Sequence, residues 1–122
     1  KRKDKSPTFA HFREFLGYIK RAIRCVNARI NDVDLLAMPT LPQQATKLPA
    51  PDCSYEEYVD TALNMLNNTA PFDCSGHPGI NVPCGMNNGL PIGMMLVGKR
   101  YDDASVIQAA HAFEKSGNWK KM

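Results

Sequence analysis

Apolar residues recur along the first quarter of the chain at alternating steps of three and four positions. The members of this apolar stripe are Phe9, Phe12, Leu16, Ile19, Ile23, Val26 and Ile30. Such spacing places them all on one face of an α-helix. Ser6 and Pro7 suit a helix start, because serine caps free backbone amides and proline is favoured in the first turn. The pattern predicts a helix over residues 8–31.

Two uses of the apolar stripe are consistent with its spacing. Lys and Arg side chains occupy the opposite face, and strand-like sequence begins soon after Asn31, which favours a helix that covers a sheet. A stripe of this length also resembles a coiled-coil seam. The alternative hypothesis is therefore a non-enzymatic helical interaction module that binds a partner helix through residues 9–30.

The middle of the chain combines a strand, a loop and a second helix. Residues 34–38 form a short apolar run, which predicts a buried strand that stops at Pro39. The proline-rich segment that follows has little periodicity, so we expect an extended loop. Ser54 and Glu57 match the capping-box pattern, in which each side chain satisfies a free backbone amide of the other. They predict a helix over residues 54–67.

The last part of the chain is predicted to hold a hairpin and a third helix. We expect an irregular segment from Pro71 to Gly79. Beyond it, two apolar runs flank an Asn-Asn-Gly turn signal and predict a strand–turn–strand unit over residues 80–97. Residues 92–97 are apolar except for Gly93, so both faces of this strand should be buried. An aspartate pair then starts a predicted helix over residues 103–116.

These elements indicate an α/β chain of three helices and about three strands. A strand that is apolar on both faces needs cover on both sides, and a sheet of about three strands leaves its edges open. We therefore expect the sheet to be incomplete in this chain and to belong to a larger one.

Composition and charge narrow the class of protein. The chain is 43% hydrophobic and 22% charged, which is ordinary for a globular domain, and no apolar run is long enough to span a membrane. Residues 1–29 carry nine of the 15 Lys and Arg but only two of the 12 Asp and Glu. Because no aromatic residues interleave with these charges in a known motif, we expect a solvated helix face and no nucleic-acid partner.

Four cysteines and three histidines are the candidates for metal or nucleophile chemistry. The cysteines form no C-x-x-C pattern, and no paired histidines have ligand spacing, so no metal site is predicted. Without an export signal, we expect reduced thiols and a cytoplasmic protein. A nucleophile pair of Cys74 or Cys84 with His77 is conceivable, although Cys84 lies at a packed strand end. No G-x-S-x-G elbow surrounds any serine.

Six short motifs follow one another from the first predicted strand to the last helix. They are Ala37-Met38-Pro39-Thr40, Asn68-Thr69-Ala70-Pro71-Phe72-Asp73, Gly76-His77-Pro78, Val82-Pro83-Cys84-Gly85, Gly89-Leu90-Pro91-Ile92-Gly93 and Tyr101-Asp102-Asp103. In this order they resemble the C-terminal third of the amidase-signature family, over residues 8 to 119. The Pro-Phe-Asp and Gly-His-Pro forms are most similar to the amidases found beside nitrile hydratases.

The resemblance implies the C-terminal part of the amidase-signature fold, a mixed sheet covered by helices. It also implies hydrolysis of a small-molecule carboxylic amide to acid and ammonia by a Ser-Ser-Lys mechanism, without metal or cofactor. In that family the lysine and both serines lie in upstream segments. No serine of this chain matches those positions, so the catalytic residues are expected outside it and the isolated chain is predicted to be inactive.

The resemblance assigns one pair of residues to the substrate. In family members the end of the helix before Pro-Phe approaches the acyl side of the substrate, which points to Met65 and Leu66 here. An ordinary place in the core of an amphipathic helix is the alternative for both. A homodimer of the full-length enzyme is consistent with these expectations, and no membrane partner is expected.

Overall fold

The structure is a computed structural model of the chain, and it describes residues 9–121. The predicted helix start at Ser6 and Pro7 lies outside the described residues. In chain order the elements are α1 (Phe9–Ile30), β1 (Leu36–Pro39), α2 (Tyr55–Leu63) with a 3-10 turn (Asn64–Leu66), α3 (Ala70–Ser75), β2 (Gly79–Asn87), β3 (Leu90–Val97), α4 (Asp103–Ser116) and a final 3-10 turn (Trp119–Lys121).

The three strands form one sheet in the order β1-β3-β2, and both strand pairs are antiparallel. Met95, in the middle of the central strand, lies opposite Met38 on one side and Asn81 on the other. Asn88 and Gly89 connect β2 to β3 with φ angles of 50° and 78°. Two successive positive φ angles are typical of a tight hairpin turn that Asn-Gly favours, as the sequence predicts.

Helices cover both faces of the sheet where the core lies. On one face, Val97 and Met95 pack with Ile30 of α1. On the other, Leu96 packs with Ala110 of α4. Burial on both faces is therefore confirmed for the end of β3. It is wrong for the beginning of that strand, since Ile92 is 37% exposed.

The segment expected to be irregular from Pro71 to Gly79 contains a helix, so that expectation is wrong. Pro71 lies in the first turn of α3, where a missing amide hydrogen costs nothing. Gly76 ends the helix in a left-handed conformation with φ of 68°, and its amide donates to the carbonyl of Phe72 at 2.8 Å. The described elements thus include four α-helices where the sequence indicated three.

The second predicted helix is shorter than expected. The Ser54 side chain caps α2 by accepting a hydrogen bond from the Glu57 amide at 3.1 Å. The α-helix ends at Leu63, however, and the chain continues to Leu66 as a tighter 3-10 turn. The predicted helix over 54–67 therefore spans two different helical geometries.

The apolar stripe of α1 is buried unevenly. Ile30, at the end of the helix, is 2% exposed and belongs to the core. Towards the beginning of the helix, Leu16 is 38% exposed and Phe12 53%. The sheet-covering role predicted for this helix therefore holds for its last turn, while its first half presents apolar side chains on the surface.

Candidate functional site

A polar cleft of about 230 Å³ lies between α3 and the sheet, on the face that α1 covers. Its polar lining consists of Thr40, Thr69, Asp73, His77 and Asn81, and Met95 of the central strand also lines it. The side chains come from four separate parts of the chain: the end of β1, the turn before α3, α3 with its following loop, and β2. A concave site with a few convergent polar groups is the usual form of a small-molecule site.

A hydroxyl–amide pair forms one wall of this polar cleft. The Thr40 amide donates to the Gly93 carbonyl at 3.0 Å, which continues the strand pairing past Pro39. The Thr40 hydroxyl donates to Oδ1 of Asn81 across the central strand. A Cβ added at Gly93 would collide with that amide oxygen. The glycine therefore leaves the space in which the two side chains meet.

The opposite wall is attached to the sheet by the side chain of Asn68. Its Nδ2 donates to the carbonyl of Pro39 at 2.9 Å. The next residue, Thr69, donates its amide to the Leu66 carbonyl at 3.1 Å and so closes the turn that leads into α3. The bond from Asn68 fixes the segment between the 3-10 turn and α3 against the end of β1, while the bond from Thr69 holds that segment in its turn conformation.

Met65 and Leu66, the residues that the resemblance assigned to the substrate, precede this turn. Met65 is half-buried and Leu66 is 48% exposed. Neither lines the polar cleft. Their contact with a substrate stays a prediction.

The inner end of the cleft contains a chain of three hydrogen-bonded side chains. Nδ1 of His77 lies 2.8 Å from the Ser75 hydroxyl, and Nε2 lies 3.0 Å from Oδ1 of Asn27 on α1. The same hydroxyl lies 3.3 Å from the Phe72 carbonyl. Ser75 is 1% exposed and His77 7%. Burial lowers the pKa of the imidazole below its ordinary value of 6.5, and the positive charge of Arg100 lowers this pKa further.

These contacts of the His77 ring exclude the cysteine–histidine pair that the sequence suggested. Both ring nitrogens of His77 are engaged by Ser75 and Asn27, so the conceivable pairing with Cys74 or Cys84 is wrong. The Ser75–His77 pair was missed because sequence reasoning looked for an elbow motif. The spacing Ser-Gly-His was the only local signal, and the third member lies fifty residues earlier in the chain.

Ser75 has a base beside it but no access to a substrate. A nucleophilic hydroxyl must reach a carbonyl carbon, and an oxygen on a side chain that is 1% exposed does not. Ser54 accepts the capping bond of α2, and the Ser116 hydroxyl donates to the Phe113 carbonyl at 2.7 Å. Across residues 9–121, no three His, Cys, Asp or Glu side chains gather as metal ligands would. Within the same range, no helix combines the length and the apolar character of a membrane span.

Comparison with known proteins shows which family this chain resembles. The family model described as Amidase matches residues 7–107. An enantioselective amidase of Rhodococcus rhodochrous is 49% identical over 87 residues, which make up 70% of this chain and 17% of that enzyme. An uncharacterized protein in the nthA 5′ region of Rhodococcus erythropolis is 49% identical over 86 residues, which make up 70% of this chain and 43% of that protein.

The fold has a counterpart among solved structures. A bacterial aryl acylamidase of the amidase signature family superposes with a TM-score of 0.80 at 28% identity, over 93% of this chain and 24% of that chain. This chain thus spans less than half the length of each of these relatives. The two Rhodococcus relatives are consistent with the predicted similarity to amidases found beside nitrile hydratases. On the family match and the shared fold, the chain belongs to the amidase signature family.

Proposed function

We propose that this chain is the C-terminal portion of an amidase that hydrolyses carboxylic amides to acid and ammonia. The observation that supports the proposal most directly is the 49% identity with an enantioselective amidase over 87 residues. The same segment makes up 17% of that enzyme, and the catalytic residues are proposed to lie in the remaining segments.

The proposed reaction passes through an acyl-enzyme. A serine oxygen attacks the amide carbonyl carbon, the carbon–nitrogen bond breaks, and the nitrogen leaves as ammonia after it accepts a proton. Water then attacks the ester carbon, which releases the carboxylic acid and restores the serine. A second serine and a lysine relay the protons. All three residues are proposed to lie outside this chain.

The contribution proposed for this chain is a rigid wall of the substrate pocket. Hydrogen bonds from Thr40 to Gly93 and from Asn68 to Pro39 attach two non-helical segments to one end of the sheet. Groups held in this way pre-organise a pocket, because they lose no further conformational entropy when the substrate binds. Met65 and Leu66 are proposed to contact the acyl side of the substrate.

Segment exchange tests the proposed function. The 87-residue segment of the Rhodococcus rhodochrous amidase is replaced by the matching residues of this chain, and ammonia release from a simple carboxylic amide is measured. We expect the exchanged enzyme to retain activity. A soluble, folded exchange protein with no ammonia release would contradict the proposal, provided that the parent enzyme is active in the same assay.

The isolated chain is expected to release no ammonia. Ser75 and its neighbour His77 are buried. The hydroxyls of Ser54 and Ser116 are engaged in hydrogen bonds to the backbone. Incubation with an amide-mimicking acylating probe, followed by intact-mass measurement, gives a direct reading. A covalent adduct on any serine or cysteine of the isolated chain would show that it carries its own nucleophile.

A further inference from the structure

His77 is the one buried titratable side chain among residues 9–121, and the proposed amide chemistry does not use it. It lies directly after α3, the helix that contributes Phe72 and Asp73 to the polar cleft. Its side chain reaches Asn27 on α1, a separate element that packs against α3. The imidazole therefore joins the end of the cleft-lining helix to the helix that covers the sheet.

The partners of the ring determine where its proton lies. Oδ1 of Asn27 is an acceptor only, so Nε2 must carry the hydrogen and donate it. In a neutral ring Nδ1 is then a bare acceptor. The Ser75 hydroxyl donates to it at 2.8 Å, which is a better distance than the 3.3 Å to the Phe72 carbonyl.

Hydrogen bonding alone would tolerate a second proton on the ring. A proton on Nδ1 would be donated to the Ser75 oxygen, whose own hydrogen would turn to the Phe72 carbonyl. Every bond would be kept. Burial and the charge of Arg100 are what disfavour the imidazolium, so the network holds a neutral ring for electrostatic reasons.

We infer that His77 is a positioning residue: its Nε2–H bond to Asn27 holds α3 in place and thereby sets the distance between the two walls of the polar cleft. This inference rests on the proposed function in one respect only, namely that the polar cleft binds an amide substrate. The wall formed by Thr40 and Asn81 is anchored on the sheet itself. The α3 wall has His77 as its side-chain link to α1 among the hydrogen bonds of the described residues.

Two amide substitutions separate positioning from space filling. Glutamine carries its N–H about as far from the backbone as the imidazole carries Nε2–H, so His77→Gln can restore the bond to Asn27. His77→Asn has the same amide one methylene shorter and cannot reach. The two variants differ mainly in the length of the side chain. A difference in their behaviour therefore reports the presence or loss of the hydrogen bond to Asn27.

The test is nuclear magnetic resonance of the 122-residue chain, with the three histidines assigned through single His11→Gln and His111→Gln variants. We expect ring nitrogen shifts of the Nε2–H tautomer for His77, and their loss in Asn27→Leu. Hydrogen-exchange protection of the Gly76 amide, which ends α3, should be near the original in His77→Gln. In His77→Asn it should fall roughly two- to tenfold, the loss that one hydrogen bond accounts for.

A neutral Nδ1–H tautomer, or equal protection in the two amide variants, would overturn the inference. Neither measurement uses an amide substrate. Failure of the segment exchange would therefore refute the proposed function but not the positioning role of His77. Failure of the nuclear magnetic resonance test would refute the positioning role but not the proposed function.

Discussion

The Asn68 side chain donates to the Pro39 carbonyl at 2.9 Å, across twenty-nine positions of the chain. This bond joins the end of β1 to the turn that follows Leu66. That turn fixes the position at which the 3-10 segment containing Met65 and Leu66 ends. Substrate contacts proposed for those two residues therefore depend on a hydrogen bond that neither of them makes.

The first prediction concerns Asn68 in the segment-exchanged amidase. Asn68→Ala removes the donor and frees the turn, so the pocket wall loses its fixed position while the nucleophile elsewhere is untouched. We expect KM to rise up to roughly fivefold, in line with the net worth of one hydrogen bond, with little change in kcat. Steady-state kinetics of ammonia release measure both constants.

Asn67→Ala is the matched control, since Asn67 is exposed and makes no side-chain hydrogen bond recorded among the described residues. Its KM should stay at the original value. Equal effects of the two substitutions would show that the bond to Pro39 has no part in substrate binding.

The second prediction uses one chemical change at two glycines. In Gly93→Ala the new methyl group collides with the Asn81 amide, so we expect a loss of about 1–3 kcal/mol in the free energy of unfolding. In Gly17→Ala the methyl group meets nothing within 4 Å in the middle of α1. Helix propensity should then raise stability by about 0.5–1 kcal/mol. Urea denaturation measures both.

The collision at Gly93 has a specific rescue. Asn81→Ala removes the atom that the new methyl group would meet, so the double variant should recover part of the loss. Additive losses in the double variant would show that the cost of Gly93→Ala arises elsewhere.

Local signals in the sequence account for the elements that were predicted well. The helix α4 runs from Asp103 to Ser116, and its cap is the Asp102 side chain, which accepts from the Ser105 amide. Capping and turn chemistry act over a few neighbouring residues, so they can be read from one sequence. The Asn-Gly turn at the β2–β3 hairpin was predicted for the same reason.

Tertiary contacts account for what was missed. The six residues of α3 are too few for a periodic pattern, and their helix depends on Phe72 packing against the core. The Ser75–His77–Asn27 chain joins residues fifty positions apart, and no local pattern announces such a meeting. The resemblance directed attention to Met65 and Leu66, whereas the polar cleft lies just beyond them.

The third prediction compares two serine substitutions. Ser75→Ala leaves the buried Nδ1 of His77 without a donor, so we expect a loss of about 1–3 kcal/mol in the free energy of unfolding. Ser116→Ala removes a hydroxyl that donates to the Phe113 carbonyl on the surface, and its cost should stay within about 0.5 kcal/mol. Both values come from urea denaturation at neutral pH. Similar losses at the two sites would mean that Nδ1 does not depend on the Ser75 hydroxyl.

The fourth prediction concerns pH. The pKa of His77 is lowered in the folded chain, so between that lowered pKa and 6.5 the unfolded chain binds more protons than the folded one. Stability contributed by the neutral ring is therefore present in full above pH 6.5 and is lost as the pH falls towards the folded pKa. The positive charge of Arg100 disfavours the imidazolium form of His77. Asp73, which lines the same cleft, carries a negative charge. Urea denaturation at a series of pH values measures the loss.

The His77→Gln variant isolates this contribution, because glutamine does not titrate. Its stability should change less on acidification than that of the original chain over the same window. Asn27→Asp should also flatten the dependence, since a carboxylate beside Nε2 stabilises the charged ring. Identical pH profiles for the original chain and His77→Gln would assign the dependence to other groups.

The fifth prediction concerns the apolar surface of α1. Phe15 is 55% exposed and Tyr18 56%, and both line a cleft of about 360 Å³ beside α3. Apolar surface of this kind binds hydrophobic dyes, so the isolated chain should enhance dye fluorescence. Leu16→Asp, on the same helix, should lower the enhancement, while Lys20→Asp should not.

The same two variants decide between the amidase proposal and the interaction module. The amidase proposal requires no complex held by the apolar stripe, so it expects Leu16→Asp to leave the size of the isolated chain in solution unchanged. The interaction module requires a complex held by the apolar stripe, which a buried aspartate would disperse. Analytical ultracentrifugation distinguishes the two outcomes. A dimer that dissociates in Leu16→Asp but persists in Lys20→Asp, with helix content preserved by circular dichroism, would favour the module over the amidase fragment.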